Sequence, residues 1–474
     1  MEKLLICLLA LLPLSLFAEG LPDLGDESQA TMTPQQERLI GEQTMLQIRA
    51  SDQYLDDPEV TDYLNRLGHR LVANSSEPSQ SFEFFVVNDE AINAFAMPGG
   101  FIGVNTGLIQ LAQSESELAS VLAHEISHVT QHHLARMVSG RKYDSMAAMA
   151  AMAVAILAAR NSPQAAQATM IGAQGGLMQR QLDFTREHEK EADRIGIDLL
   201  KQSDFDPHAM PQFFERLQKA TQLQEGDAPS YLRTHPLTIE RIADVDNRVA
   251  QIPFRLVADS LDFQLIRARL IALQKPPQEA VAYFQSALGN KRFGNPVAQR
   301  YGLVLALLRD GEEKRAAQEF KQLHSSAPRN ATIETLAGRI RQLERQDEGV
   351  LAFYETTLKQ YPTHRALIYD YALLLLQKQR YSQALKLLDE QINRDGNDAT
   401  LYELQARAYT ALGRHQEAHH VLSYYQILHG NLRGAIEQLE LAKLAGNDYY
   451  QLSVIETELR QYREFLNAQQ RKQQ

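Results

Sequence analysis

Cysteine is almost missing from this sequence: among 474 residues there is one, Cys7, near the N-terminus. A disulfide framework is thereby excluded, and stability has to come from packing or from a bound metal. An excess of positive charge is missing as well. Lys and Arg number 48 against 59 Asp and Glu, a formal net charge of −11. Such a chain repels phosphate backbones, so nucleic acid is not an expected partner. Long apolar runs are also lacking. Residues 4–12 and 146–159 are apolar, but both fall short of the roughly 20 residues that a membrane-spanning helix needs.

What is present reads as a soluble globular chain, with 44% hydrophobic and 23% charged residues. Its length exceeds what one core can hold and predicts two or three domains. Lys3, the apolar run 4–12 and Ser15-Leu16-Phe17-Ala18 form an export signal over 1–18. Residues 19–33 are polar and turn-rich, the pattern of a flexible mature N-terminus. Helical periodicity follows at 34–50 and 58–73, and strand patterns at 82–87 and 100–104. Longer helices are expected at 115–137, 180–202 and 207–223. An α+β domain over 34–250 is the simplest account. Pro253 breaks the pattern, which places a linker at 251–261.

Residues 262–474 carry an internal repeat. Ala316, Val350, Ala384 and Ala418 recur every 34 residues, the tetratricopeptide period. Phe320, Tyr354, Leu388 and Leu422 stand one turn after them, and Pro328, Pro362, Gly396 and Gly430 end each unit. A small residue where helices cross, a large one a turn later and a stop at the end are what stacked helical hairpins require. Ala280 with Phe284 marks an earlier unit, and Ala435 with Leu439 a closing helix. The expected second domain is therefore an all-α solenoid.

The chemistry sits in His124-Glu125-Ile126-Ser127-His128. Two histidines four apart on a helix share one face, one turn apart, where two nitrogens can reach a single ion. Glu125, beside the first ligand, is the candidate general base for water attacking a peptide carbonyl. His132 extends the same face by another turn, beyond reach of the ion. A catalytic zinc needs a third protein ligand and an open position. Glu189 and Asp193, four apart on a second helix, offer one: either carboxylate can bind the metal while the other receives the free N–H of a ligand histidine.

HEISH, then EHEKEADRIG, then THPLTIERI resemble, in that order, the gluzincin family containing the prenyl-protein (CAAX) and Oma-type proteases. The resemblance runs from about Leu21 to the C-terminus. With the export signal and repeats included, it is strongest to periplasmic members that act in outer-membrane β-barrel assembly. It implies a zincin-like metalloprotease domain holding one Zn2+ per chain through His124, His128 and Glu189. It further implies Glu125 as base and Asp193 as support behind the ligands. Asn93, Ala94 and Phe95 would belong to an edge strand that pairs with extended substrate. His235 and Arg241 would stabilise the oxyanion of the tetrahedral intermediate. Alternatively, His235 would take zinc's fourth position and act as a switch.

The expected partners are misfolded or assembling outer-membrane proteins, and the outer-membrane assembly machinery through the repeat domain. Residues 146–178, rich in Ala and Met, are expected to be a buried hairpin, or else a mobile lid or peripheral membrane contact. A chaperone or assembly adaptor with a largely latent zinc site is the rival reading. A prenyl-protein protease is disfavoured by the lack of multiple spanning segments.

Overall fold

Proline and capping residues open the first two helices. In α1 (Pro34–Arg49) the Thr33 side chain accepts from Gln36 N while the Gln36 side chain accepts from Thr33 N, a reciprocal cap. In α2 (Pro58–Val72) the Asp57 carboxylate accepts from Glu59 N and Val60 N. This computed structural model describes residues 33–138, 176–223, 229–290, 294–344 and 347–472. The expected export signal over 1–18, the N-terminal segment to residue 32 and residues 146–175 of the Ala- and Met-rich segment lie outside them. No described helix is long and apolar enough to cross a membrane.

Three strands follow: β1 (Glu83–Val87), β2 (Ala94–Met97) and β3 (Phe101–Asn105). They form one sheet in the order β1-β3-β2, with β1 parallel and β2 antiparallel to β3. Alternation along a strand sends successive side chains to opposite faces. Phe84 and Val86 join the main core, and Phe85 and Val87 meet Met45 and Ile48 of α1 on the other face. Apolar side chains at every one of these positions explain why β1 reads as a continuous run.

The short α3 (Thr106–Leu111) leads to α4 (Glu115–Thr130), whose Leu118, Leu122 and Ile126 enter the main core. The single helix expected over 115–137 is broken. His132 adopts φ +50°, and the chain restarts as α5 (His133–Val138). Further helices are α6 (Gly176–Gln202), α7 (Ala209–Leu223), α8 (Ser230–Thr234) and α9 (Ile239–Val249). Gly196 lets α6 lie close on α4: a Cβ there would stand 3.4 Å from His124 N and 3.0 Å from the end of Met210.

The all-helical remainder of the chain begins with α10 (Leu261–Gln274), α11 (Pro277–Asn290), α12 (Pro296–Arg309), α13 (Glu313–Ser326), α14 (Ala331–Leu343) and α15 (Asp347–Gln360). It continues with α16 (Arg365–Gln377), α17 (Tyr381–Ile392), α18 (Ala399–Ala411), α19 (His415–Leu428), α20 (Leu432–Ala445) and α21 (Tyr449–Lys472). Ala316, Val350, Ala384 and Ala418 are all buried, as are Phe320, Tyr354 and Leu388, while Leu422 is half-buried. Tyr354 fills the space left by Gly338 in the preceding helix, where any Cβ would overlap its ring.

The two domains share structure at α10. Phe263, Ile266 and Leu270 belong to the main core with Leu64 and Leu67 of α2, whereas Leu265, Ala268 and Ala272 belong to the repeat core. A buried polar network reinforces this contact. Arg269 grips Asp57 through bonds of 2.8–3.0 Å. Glu59 accepts from Thr332 Oγ1 at 2.6 Å and lies 3.2 Å from His364 Nε2.

Candidate metal centre and active site

Three elements converge on the site. α4 carries His124, Glu125 and His128; α6 carries Glu189 and Asp193; and the turn ending α8 carries His235. His124, Glu125, Glu189 and Asp193 are each no more than 2% exposed. Such burial of ionisable side chains is costly unless they are paired or hold a metal.

His124 Nε2 and His128 Nε2 stand 3.0 Å apart. Glu189 approaches them at 3.3 Å through Oε2 and Oε1 respectively. His235 Nδ1 completes the group, 3.3 Å from His124 Nε2 and 3.0 Å from Glu189 Oε1. All four residues offer donor atoms within 4.8 Å of one another. A tetrahedral ion with bonds of about 2.0–2.1 Å holds its ligand atoms about 3.3 Å apart, which matches these separations.

The donor set also has the right chemistry. His124 Nδ1 faces Asp193 Oδ1 at 3.0 Å, which leaves Nε2 as the ring nitrogen turned into the group. Burial opposes a charge on His124, yet the hydrogen bonds to Asp193 and Glu189 raise its pKa to about 10. Glu189 is held well below the usual carboxylate range: burial works against this, and His235, His124 and His128 outweigh it. Burial lowers His128. The buried carboxylates thus favour positive charge at this point of the pocket, as those of a metal site do.

Glu125 lies outside the ligand group but beside it. Its Oε1 is buried without a hydrogen-bond partner among the described residues and faces His235 Nε2 at 3.4 Å. Tyr231, buried beneath the site, packs against His235 with ring centroids 4.7 Å apart. Its backbone N–H donates to Ile92 O at 3.1 Å, tying the His235 turn to the segment entering β2.

Of the residues named from sequence, His124, His128, Glu189, Glu125, Asp193 and His235 come together. Arg241 is close by, but its guanidinium is committed elsewhere. Nε and Nη2 donate to Asp193 at 2.8 Å, and Nη1 donates to Pro236 O at 2.9 Å and pairs with Glu189 Oε2 at 2.8 Å. Arg241 thereby orients two carboxylates of the site. Asn93, Ala94 and Phe95 lie at and before the start of β2, an edge strand packed beside α4, with Asn93 and Ala94 buried and Phe95 half-buried.

Sequence reasoning missed His133 and Glu191. His132, expected to extend the ligand face, turns away to Glu77 at 3.2 Å. His133 takes the place beside His128, with Nδ1 to Nδ1 at 2.8 Å. Two adjacent histidines after the motif were the available signal; the helix break that chooses between them was not readable.

Residues 58–249 match the model of peptidase family M48, and residues 348–408 that of a tetratricopeptide repeat. The chain is 35% identical over 399 residues to a Vibrio cholerae relative, covering 84% of this chain and 82% of that one. It is 33% identical over 428 residues to the beta-barrel assembly-enhancing protease of Escherichia coli K12, covering 90% and 87%. The mitochondrial metalloendopeptidase OMA1 of Schizosaccharomyces pombe shares 33% identity over 184 residues, 39% of this chain and 51% of that one. With its paired helices, convergent imidazoles and following repeats, the chain belongs to peptidase family M48 as a metallopeptidase joined to a tetratricopeptide domain.

Proposed function

We propose that this metallopeptidase is a zinc-dependent endopeptidase of the periplasm that degrades misfolded or stalled outer-membrane β-barrel proteins. The observation that carries the chemistry is the meeting of His124 Nε2, His128 Nε2 and the Glu189 carboxylate beside a buried Glu125 oxygen that accepts no hydrogen bond from the described residues. His124, His128 and Glu189 would hold the zinc. When bound, it supplies Lewis-acid polarisation and a water acidified towards neutrality. Glu125 takes the proton from the attacking water and passes it to the leaving amine. Asp193 fixes the His124 tautomer, and Arg241 fixes Asp193 and Glu189.

The client assignment rests on relatives named for β-barrel assembly and on the export signal at 1–18. The domains are read as an N-terminal segment 19–33, a protease domain 34–250, a linker 251–261 and a repeat domain 262–474. The exposed side of β2 would pair with an extended client segment near Asn93, Ala94 and Phe95. The solenoid would engage clients or the assembly machinery. A contact between 146–178 and the membrane surface belongs to the same proposal.

One observation favours the rival reading of a chaperone or adaptor with a restrained site. His235 Nδ1 lies within the ligand group, where the attacking water would bind. Incubating the full chain with an unfolded β-barrel protein and zinc separates the two. Glu125→Gln should retain zinc and lose cleavage by about 10²–10⁴-fold, and His235→Ala should cleave at least as fast as wild type if His235 restrains the site. Absence of zinc-dependent cleavage in both wild type and His235→Ala would overturn the protease reading.

A further inference from the structure

The break after α4 builds a contact that an intact helix could not. Five helical residues turn the chain by about 140° beyond a full turn, so His133 would point well away from His128 in a continuous helix. The left-handed conformation of His132 reverses that direction. It delivers a fully buried imidazole to the back of a proposed metal ligand.

We propose that His133, backed by Glu191, is a positioning residue that fixes the tautomer and orientation of His128, resting on the reading of His128 as a zinc ligand. His128 points Nε2 into the ligand group, so its Nδ1 carries the remaining ring proton. That N–H donates to His133 Nδ1 at 2.8 Å. His133 then carries its own proton on Nε2, which donates to Glu191 Oε2 at 3.0 Å. The protons run one way, from ligand to imidazole to carboxylate, with each nitrogen serving once. Arg136 Nη2 reaches the same Glu191 oxygen at 3.0 Å and keeps it an acceptor. The His188 ring stacks on His133 at 4.2 Å with an interplanar angle of 6°, which fixes the plane in which both hydrogen bonds are made.

The two imidazole ligands are thus supported differently. His124 meets a carboxylate directly through Asp193, while His128 reaches Glu191 through an intervening imidazole. A carboxylate behind a ligand histidine raises its basicity and holds its plane. His133 transmits that effect across a distance that Glu191, half out in solvent, could not span itself.

Zinc affinity of the full chain, measured by competition with a chromogenic chelator, tests this alongside the thermal midpoint of chelator-stripped protein. His133→Leu should weaken zinc binding about 10–100-fold, and Glu191→Ala should weaken it in the same direction. His133→Gln should recover most of the loss, because its amide can accept from His128 and donate to Glu191. The stripped protein's midpoint should stay near wild type in Glu191→Ala and His133→Gln, since Glu191 is half out in solvent and the glutamine keeps both hydrogen bonds. Unchanged affinity in His133→Leu or Glu191→Ala overturns the proposal. So does a His133→Gln variant as impaired as His133→Leu with a lowered stripped midpoint, which would mean packing alone. If His133→Leu does not fold, the other two variants decide. Failure of wild type to bind zinc would instead overturn the ligand assignment itself.

Discussion

Arg241 holds Asp193 in a two-pronged grip, with Nε and Nη2 each 2.8 Å from a different carboxylate oxygen. Both side chains are almost fully buried. The pairing with Asp193 and Glu189 raises the guanidinium pKa against burial, and the same contacts help keep Asp193 low. Arg241→Ala would leave buried Asp193 without its guanidinium and remove one of the positive partners of Glu189. Removing one partner of a buried pair typically costs about 3–5 kcal/mol. Urea unfolding of the metal-free variant should show a loss of that size. Arg241→Lys should recover part of it, because a point charge cannot reproduce the planar fork.

How much of this was legible in the sequence depended on the distance over which the chain had to be read. Helix spacing alone pairs His124 with His128; on the second helix it offers Glu189 and Asp193 without choosing between them, and only the family resemblance implies Glu189 as the ligand. The repeat register was visible in Ala316, Val350, Ala384 and Ala418 because each must fit a helix crossing. Local rules stopped at His132: nothing in its neighbours announces a left-handed residue, and that one angle decides which histidine backs His128. The pairing of Arg241 with Asp193 and Glu189 was not readable either, since these carboxylates lie about fifty positions away. The pairing of Glu59 with His364 spans 305 positions and has no periodic signature.

The Glu59 network gives the domain contact a pH dependence. Burial raises the Glu59 pKa, but His364, Arg269 and Thr332 prevail and lower it from 4.5 to about 2. A carboxylate depressed on folding stabilises above its unfolded pKa and loses that contribution as pH falls through the folded value. The contribution should therefore be full above pH 5 and vanish between about pH 4.5 and 2, a change on the order of 3 kcal/mol. Unfolding free energies of wild type and Glu59→Gln, measured from pH 6 downward, should converge across that window. Parallel curves would remove Glu59 from the linkage.

His132 offers a test of the helix break. A non-glycine residue at positive φ costs about 1–2 kcal/mol, and glycine relieves it. The side-chain contact with the half-exposed Glu77 is a weak one. His132→Gly should leave stability within about 1 kcal/mol of wild type and zinc affinity unchanged, whereas β-branched His132→Val should lose about 1–3 kcal/mol. Chemical denaturation with parallel metal titration checks both. A large loss in the glycine variant would show that the His132 side chain, not the backbone turn, holds α5 in place.

The sharing of α10 predicts where the protease domain can be cut. Phe263, Ile266 and Leu270 are essentially inaccessible and lie in the same core as α2 and α4. Each such side chain contributes roughly 1.5–3 kcal/mol by burial. A fragment ending at residue 260 would forfeit all three, and would leave Asp57 without Arg269. That loss, about 5–9 kcal/mol, is comparable to the whole stability of a typical domain, roughly 5–15 kcal/mol. A fragment ending at residue 290 keeps α10 together with α11, whose Ala280 and Phe284 cover the other side of α10 with Leu265 and Ala268. Circular dichroism and urea melts should find the longer fragment cooperatively folded and the shorter one unfolded or aggregated. A stable, zinc-binding fragment 34–260 would place the boundary ahead of α10 and make that helix a repeat element that merely leans on the protease core.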